Sequence, residues 1–174
     1  MVAVRYLNEV ARKELAMRID NVAITDVTQD MRGLIYDQLF EPWGVPNESD
    51  WLRAGDGGEF FVARDEQGRI LGVTRIMPSD IESPGHPTPV GCNDELRLCQ
   101  VVVDPTVQRH GIGSALMQKA EERALGLGIM RVGVSSRYQA YGFYTRNGYV
   151  FYGDEYISPV THIPYRYMTK KLCG

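Results

Sequence analysis

Residues 96–103, LRLCQVVV, form an almost unbroken apolar and β-branched run, and DPTVQRHGIG carries the chain from it into a segment whose Ile112, Ala115, Leu116, Ala120, Ala124 and Leu127 share one helical face. A strand of that composition is buried on both sides, because a strand with one wet face alternates apolar and polar residues. The chain must therefore cover a sheet on both faces, and its 174 residues suffice for one such domain.

The remaining segments supply the layers. Residues 60–64 and 70–76 read as two strands joined by the turn sequence DEQG, and MRVGVS (130–135) reads as the strand after the amphipathic helix. Residues 138–146 read as a helix closed by Asn147-Gly148, followed by a strand at 149–152 and a last one at 166–172. Upstream, the pattern predicts a helix over 8–18, a short strand over 21–27 and a helix over 28–40 capped by Thr28. Pro42, Gly44 and Pro46 end that helix, with Trp43 and Trp51 as anchors of the loop beyond it. Residues 77–94 carry four prolines and two glycines, so they form a loop, and its length suits the wall of a binding site. Strands alternating with helices in this order imply an α/β or mixed sheet.

Nineteen Lys and Arg against 22 Asp and Glu leave a net charge of −3, which argues against a general nucleic-acid-binding surface. The first twenty residues lack the apolar run of a signal peptide, and nowhere do 18 apolar residues stand together, so the expectation is a cytoplasmic protein without a membrane span. Cys92, Cys99 and Cys173 suit neither a disulfide framework nor a Cys-x-x-Cys metal site. His86, His110 and His162 are far apart with no cysteine beside them, so no metal is expected.

Gln108-Arg109-His110-Gly111-Ile112-Gly113 lies where a buried strand turns into a helix, a place where backbone N–H groups can hold phosphate oxygens. A dinucleotide fingerprint needs Gly or Ala where Leu116 stands, and a Walker A loop needs Gly-Lys-Ser/Thr. Neither is present. Taken alone, the two glycines serve either helix packing or phosphate binding.

The stretch ELRLCQVVVDPTVQRHGIGSALM resembles the acetyl-CoA-binding motif of the GNAT superfamily of N-acyltransferases, with Val103, Pro105, Gln108, Gly111 and Gly113 in the motif's places. Ala140 to Tyr149, AYGFYTRNGY, is similar to the family's Ala-x-x-Phe-Tyr-x-x-x-Gly-Phe/Tyr segment. The resemblance covers residues 95–150, and residues 60–77 fit the family's hairpin in pattern only. It implies a single domain over 1–174, an α/β fold whose mixed, mostly antiparallel sheet is flanked by helices, a cofactor motif at 95–127 and an acid-bearing motif at 138–150.

The resemblance also implies roles. Backbone N–H groups of Val101 and Val103 would hold pantetheine and the acyl carbonyl of acetyl-CoA, and Gln108, Arg109, His110, Gly111, Ile112, Gly113 and Ser114 its pyrophosphate. Tyr144 matches the tyrosine that protonates the departing thiolate; a phenol with pKa near 10 keeps its proton at pH 7 and can give it to a thiolate of pKa near 8.5. Eight of the ten tyrosines fall in residues 138–167, so packing is the competing role for Tyr144.

Glu95 has the offset of the catalytic glutamate in ribosomal-protein N-terminal alanine acetyltransferases, which it resembles, and would take the amine proton directly or through water. Other members hold their base two places later, where Arg97 stands, and a Glu95–Arg97 salt bridge on one strand face is the alternative. Cys99 reads as a small core residue rather than an acyl-carrying nucleophile. The tail THIPYRYMTKKL is similar to a branch whose last strand begins Ile-Pro-His; Tyr165 replaces that histidine, and His162 reads as a surface residue.

The implied activity is transfer of an acetyl group to the primary amine of a small metabolite or a peptide N-terminus, by direct attack in a ternary complex. A non-catalytic acyl-CoA sensor and an enzyme for longer acyl chains are the alternatives. A homodimer is compatible with this reading, and nucleic acid and membrane are not expected partners. Asp80, Glu82, Asp94, Glu95, Asp154 and Glu155 would draw a cationic amine, while Arg75 and Arg97 would pair with an anionic group on it.

Overall fold

The computed structural model describes residues 16–46, 58–78 and 95–173. In chain order the elements are β1 (Met17–Ala23), α1 (Gln29–Leu39), β2 (Glu59–Asp65), β3 (Ile70–Pro78), β4 (Glu95–Val103), α2 (Ile112–Gly126), β5 (Arg131–Arg137), α3 (Tyr141–Arg146), β6 (Val150–Ile157) and β7 (Pro164–Lys171). The seven strands make one sheet in the order β1-β2-β3-β4-β5-β7-β6. All neighbours are antiparallel except β4 and β5, whose parallel pairing requires the crossover that α2 supplies.

Each face of the sheet carries its own apolar layer. Met31 and Ile35 of α1 pack on Phe60, Val62, Val73 and Val102, while Ile112, Leu116 and Met117 of α2 pack on Phe61, Leu96 and Leu98 of the other face. This double cover is why β4 has no polar alternation. Gly72 allows α2 to approach β3, since a Cβ there would stand 3.1 Å from Leu116 and 2.8 Å from the Val102 carbonyl oxygen. Glu121 joins α2 to the far edge, accepting from Lys170 Nζ at 2.7 Å and from the Tyr149 hydroxyl at 3.1 Å.

The expected helix over 8–18 does not extend to its end: Met17 and Arg18 are already strand, paired with Asp65 and Arg64, and residues 8–15 lie outside the described residues. The strand expected at 21–27 is displaced in the same direction, and Ile24–Asp26 is a 3-10 turn. Pairing with β2 decides this boundary, whereas local propensity alone favoured a helix. Thr28 caps α1 as expected, its hydroxyl accepting from the Met31 N–H at 3.4 Å. The strand read at 149–152 continues to Ile157, because β7 pairs with it beyond an irregularity between Tyr152 and Glu155. Residues 79–94, including His86 and Cys92, and Trp51 lie outside the described residues.

Candidate active site

β4 and β5 pair only from Glu95 with Arg131 to Leu98 with Val134, and beyond that point the two strands part. At the same level β4 bulges: Val73 pairs with Val102 and Arg75 with Cys99, so Thr74 alone faces Gln100 and Val101. Gln100 takes the positive φ of 48° that the bulge needs. The extra residue reverses side-chain parity, so Leu96 and Leu98 face α2 before the bulge and Val101 and Val103 pack on that same layer after it.

The bulge also fixes the backbone. The Asp104 N–H bonds to the Leu71 carbonyl at 2.9 Å, on the β3 side of the strand. Alternation along an antiparallel ladder then turns the N–H groups of Val103 and Val101 away from β3, toward the gap that β5 leaves.

Asp104 starts the turn after β4, its carboxylate accepting from the Thr106 N–H at 2.8 Å and hydroxyl at 2.7 Å. Those bonds hold its pKa below the ordinary carboxylate value. Arg109 has φ 67° and Gly111 has φ 82°, and the α2 start at Gly111 has no side-chain cap. The first N–H groups of the helix, from Ile112, Gly113 and Ser114, are thus free of any side-chain acceptor and carry the positive end of the dipole. His110 Nδ1 stands 3.1 Å from the Val107 carbonyl and 2.9 Å from that of Gln108, both acceptors, which assigns the ring proton to Nδ1. The Gln108 side chain donates to the Val103 carbonyl at 3.3 Å, so it braces the turn. Open space surrounds Gly111, whereas a Cβ on Gly113 would stand 3.0 Å from the Phe143 ring. The two glycines therefore do different things: Gly111 shapes the turn, and Gly113 lets α3 seat against α2.

That seating places Tyr144. The residue is 6 % exposed, its ring lies edge-on to Phe143 and Tyr149, and its hydroxyl donates no hydrogen bond among the described residues. Burial pushes its pKa well above the ordinary phenol value; the charge of Arg137 on β5 opposes the rise, and Cys99 on β4 adds to it. Tyr144 thus sits within electrostatic reach of both strands where they part.

The α1-facing side of the sheet carries a buried polar group. Glu95 accepts from the Tyr167 hydroxyl through Oε1 and from the Thr169 hydroxyl at 3.3 Å through Oε2. Gly133, between them on β5, makes the space, because a Cβ there would overlap the Tyr167 hydroxyl and stand 2.7 Å from Glu95 Oε1. Burial, then the bond to Glu95, push the Tyr167 phenol upward. Arg75 and Arg97, at 1 % and 2 % exposed, lie in the same buried layer. Glu95 stands six residues below Val101, roughly 18 Å of strand, beyond direct reach of a glutamate side chain.

Sequence reasoning missed Tyr167, Thr169 and Gly133. Gly133 carried a usable signal, since a glycine inside a strand often marks a close approach of another group. Tyr167 and Thr169 gave none, because their role depends on a contact spanning 72 and 74 residues.

The fold is one shared by acyltransferases of known structure. An acyl-CoA N-acyltransferase from Pseudomonas aeruginosa superposes with a TM-score of 0.65 at 19% identity, over 89% of this chain and 99% of its own. An acetyltransferase of the GNAT family from Staphylococcus aureus gives 0.61 at 18%, over 90% and 100%. The AHL synthase LasI gives 0.69 at 11%, over 90% of each chain. No curated protein matches the chain. Residues 28–149 match the acetyltransferase (GNAT) family, and the protein belongs to that family. It is an acyltransferase whose acyl group comes from acyl-CoA. Among the described residues, no helix is long and apolar enough to cross a membrane, and no three His, Cys, Asp or Glu residues are grouped to hold a metal.

Proposed function

We propose that this enzyme transfers an acetyl group from acetyl-CoA to the primary amine of a small metabolite, with a peptide N-terminus as the less favoured acceptor. The observation that carries the reading is the parting of β4 and β5 beside the buried Tyr144 hydroxyl. It leaves the Val101 and Val103 N–H groups on an open strand edge, a few residues from the uncapped start of α2. The α2 start and the turn from Gln108 to Ser114 fit a pyrophosphate, and acetyl-CoA supplies the acyl thioester when bound.

The residues divide the work. A neutral amine attacks the acyl carbon, and the N–C bond forms as the C–S bond breaks. The Val101 N–H stabilises the carbonyl oxygen as it gains charge, and Tyr144 gives its proton to the sulfur. The raised pKa of Tyr144 keeps that proton in place across the neutral range. Glu95 takes the amine proton through water or the Tyr167 phenol, since strand geometry separates it from the acyl carbon.

The test is release of CoA thiol during incubation with acetyl-CoA and matched panels of small amines and N-terminal peptides. Release with small amines supports the reading. Turnover of peptides alone overturns the choice of acceptor, and tight CoA binding without release from any amine assigns the protein to acyl-CoA sensing. Competition by longer acyl-CoA thioesters separates the acetyl donor from a longer one.

A further inference from the structure

Arg137 is the last residue of β5, three residues past the final β4–β5 pair, and its side chain turns to the α1 side. One guanidinium nitrogen donates to the Gln38 carbonyl at 3.1 Å, and the group lies 5.7 Å from the centroid of the Trp43 ring. The residue is half-buried, and no carboxylate stands within ion-pair distance of it among the described residues. A guanidinium has five N–H donors in a planar fork, so most of its donor capacity here is left for something else. Beside it, the buried Trp43 Nε1 has no hydrogen-bond partner among the described residues.

The turn proposed for the pyrophosphate leads into α2, whereas Arg137, bonded to Gln38 and beside Trp43, stands on the α1 side of the sheet, past the point where β4 and β5 part. Arg75 and Arg97 are almost wholly enclosed in the sheet layer, whereas Arg137 is half-buried beyond the last β4–β5 pair. A partly desolvated cation favours an anion that can accept two N–H bonds in one plane, and a single positive charge matches a monoanion.

We propose that Arg137 and Trp43 receive a carboxylate on the acceptor, so that the amines this enzyme acetylates also carry a free carboxylate, as amino acids do. The inference rests on the acyl-transfer reading above. Arg137 leads directly through the turn at 138–140 into α3, which carries Tyr144, so anchor and acid belong to one continuous segment at the open end of β5. A polyamine would meet Arg137 with a like charge, and a peptide N-terminus would present an amide where the carboxylate belongs.

The experiment compares α-amino acids with their carboxamides in the wild type, Arg137→Gln and Arg137→Lys, reading kcat and KM from CoA thiol release. We expect the wild type to prefer the acids at least tenfold. Arg137→Gln should lower kcat/KM for acids by about thirtyfold or more and cost the carboxamides at least tenfold less, the difference appearing in KM. Arg137→Lys should recover part of the loss, because it restores charge without the fork. Equal losses for acids and carboxamides, or carboxamides used as well as acids by the wild type, overturn the proposal and leave Arg137 as a tie between β5 and α1. Calorimetry of the same acids on CoA-loaded protein covers the case in which no amine turns over. Acid binding lost in Arg137→Gln then sustains the carboxylate site while the transfer reading fails, and no acid binding to the wild type overturns both.

Discussion

Gly133 and Tyr167 share one volume: the hydroxyl of Tyr167 occupies the space that a Cβ on residue 133 would fill, and from there it donates to Glu95. The absence of one methyl group thus permits a buried carboxylate to be held by the neighbouring strand. Gly133→Ala should destabilise the domain by about 2–4 kcal/mol, combining overpacking with a displaced buried hydrogen bond. Urea unfolding measures this, and a loss below about 1 kcal/mol would mean that Tyr167 has an alternative position.

Tyr144→Phe keeps the ring against Phe143 and Tyr149 and removes the proton. Turnover should fall about 10²-fold with CoA affinity unchanged. Wild-type turnover in the variant would pass the acid role to another group.

Glu95→Gln should reduce the rate most below the pKa of the acceptor amine, where a proton must be removed, and less as the pH rises. A constant factor from pH 6 to 10 would give Glu95 a purely structural role as the partner of Tyr167 and Thr169.

The two turn glycines should separate. Gly111 has positive φ and open surroundings, so Gly111→Val strains the turn and obstructs its donors, weakening CoA binding at least tenfold, on the order of 1.4 kcal/mol. Gly113→Val pushes on Phe143 and should cost stability and turnover together, because α3 carries Tyr144. Equal effects of the two substitutions on thermal unfolding would contradict this division.

Burial raises the pKa of Tyr144, Tyr149 and Tyr167, and that of Tyr156 to about 12. A folded-state pKa above the unfolded value near 10 means that folding favours the protonated phenol. The associated stability is full below pH 10 and is lost as the pH rises toward the folded values. Urea unfolding between pH 9 and 11.5 should show a decline steepening above pH 10, and Tyr144→Phe should make it shallower. A flat profile would show that these phenols are hydrated in solution.

The sequence by itself determined the central strand, the turn and helix after it, and the placing of Tyr144 on a short following helix. These are local: an unbroken β-branched run, a glycine with positive φ and a helical apolar stripe act through neighbours a few residues away. It also named the turn residues 108–114, although the separate duties of Gly111 and Gly113 depend on Phe143, thirty residues onward. The start of β1 went the other way, since Met17 and Arg18 become strand only because β2 offers a ladder.

Only the tertiary structure decided which polar groups meet. The bulge at Gln100 reverses the parity of β4 through its register with β3, and no period-two reading of LRLCQVVV contains that information. Glu95 was visible as a candidate base, yet its partners arrive from β7, and its distance from the opening follows from where β5 departs. Arg137 gained a meaning only when α1 and the turn after it brought Gln38 and Trp43 to it across nearly a hundred residues. Side-chain chemistry is written in the chain, but convergence is set by sheet order and helix packing, whose contacts are remote in sequence.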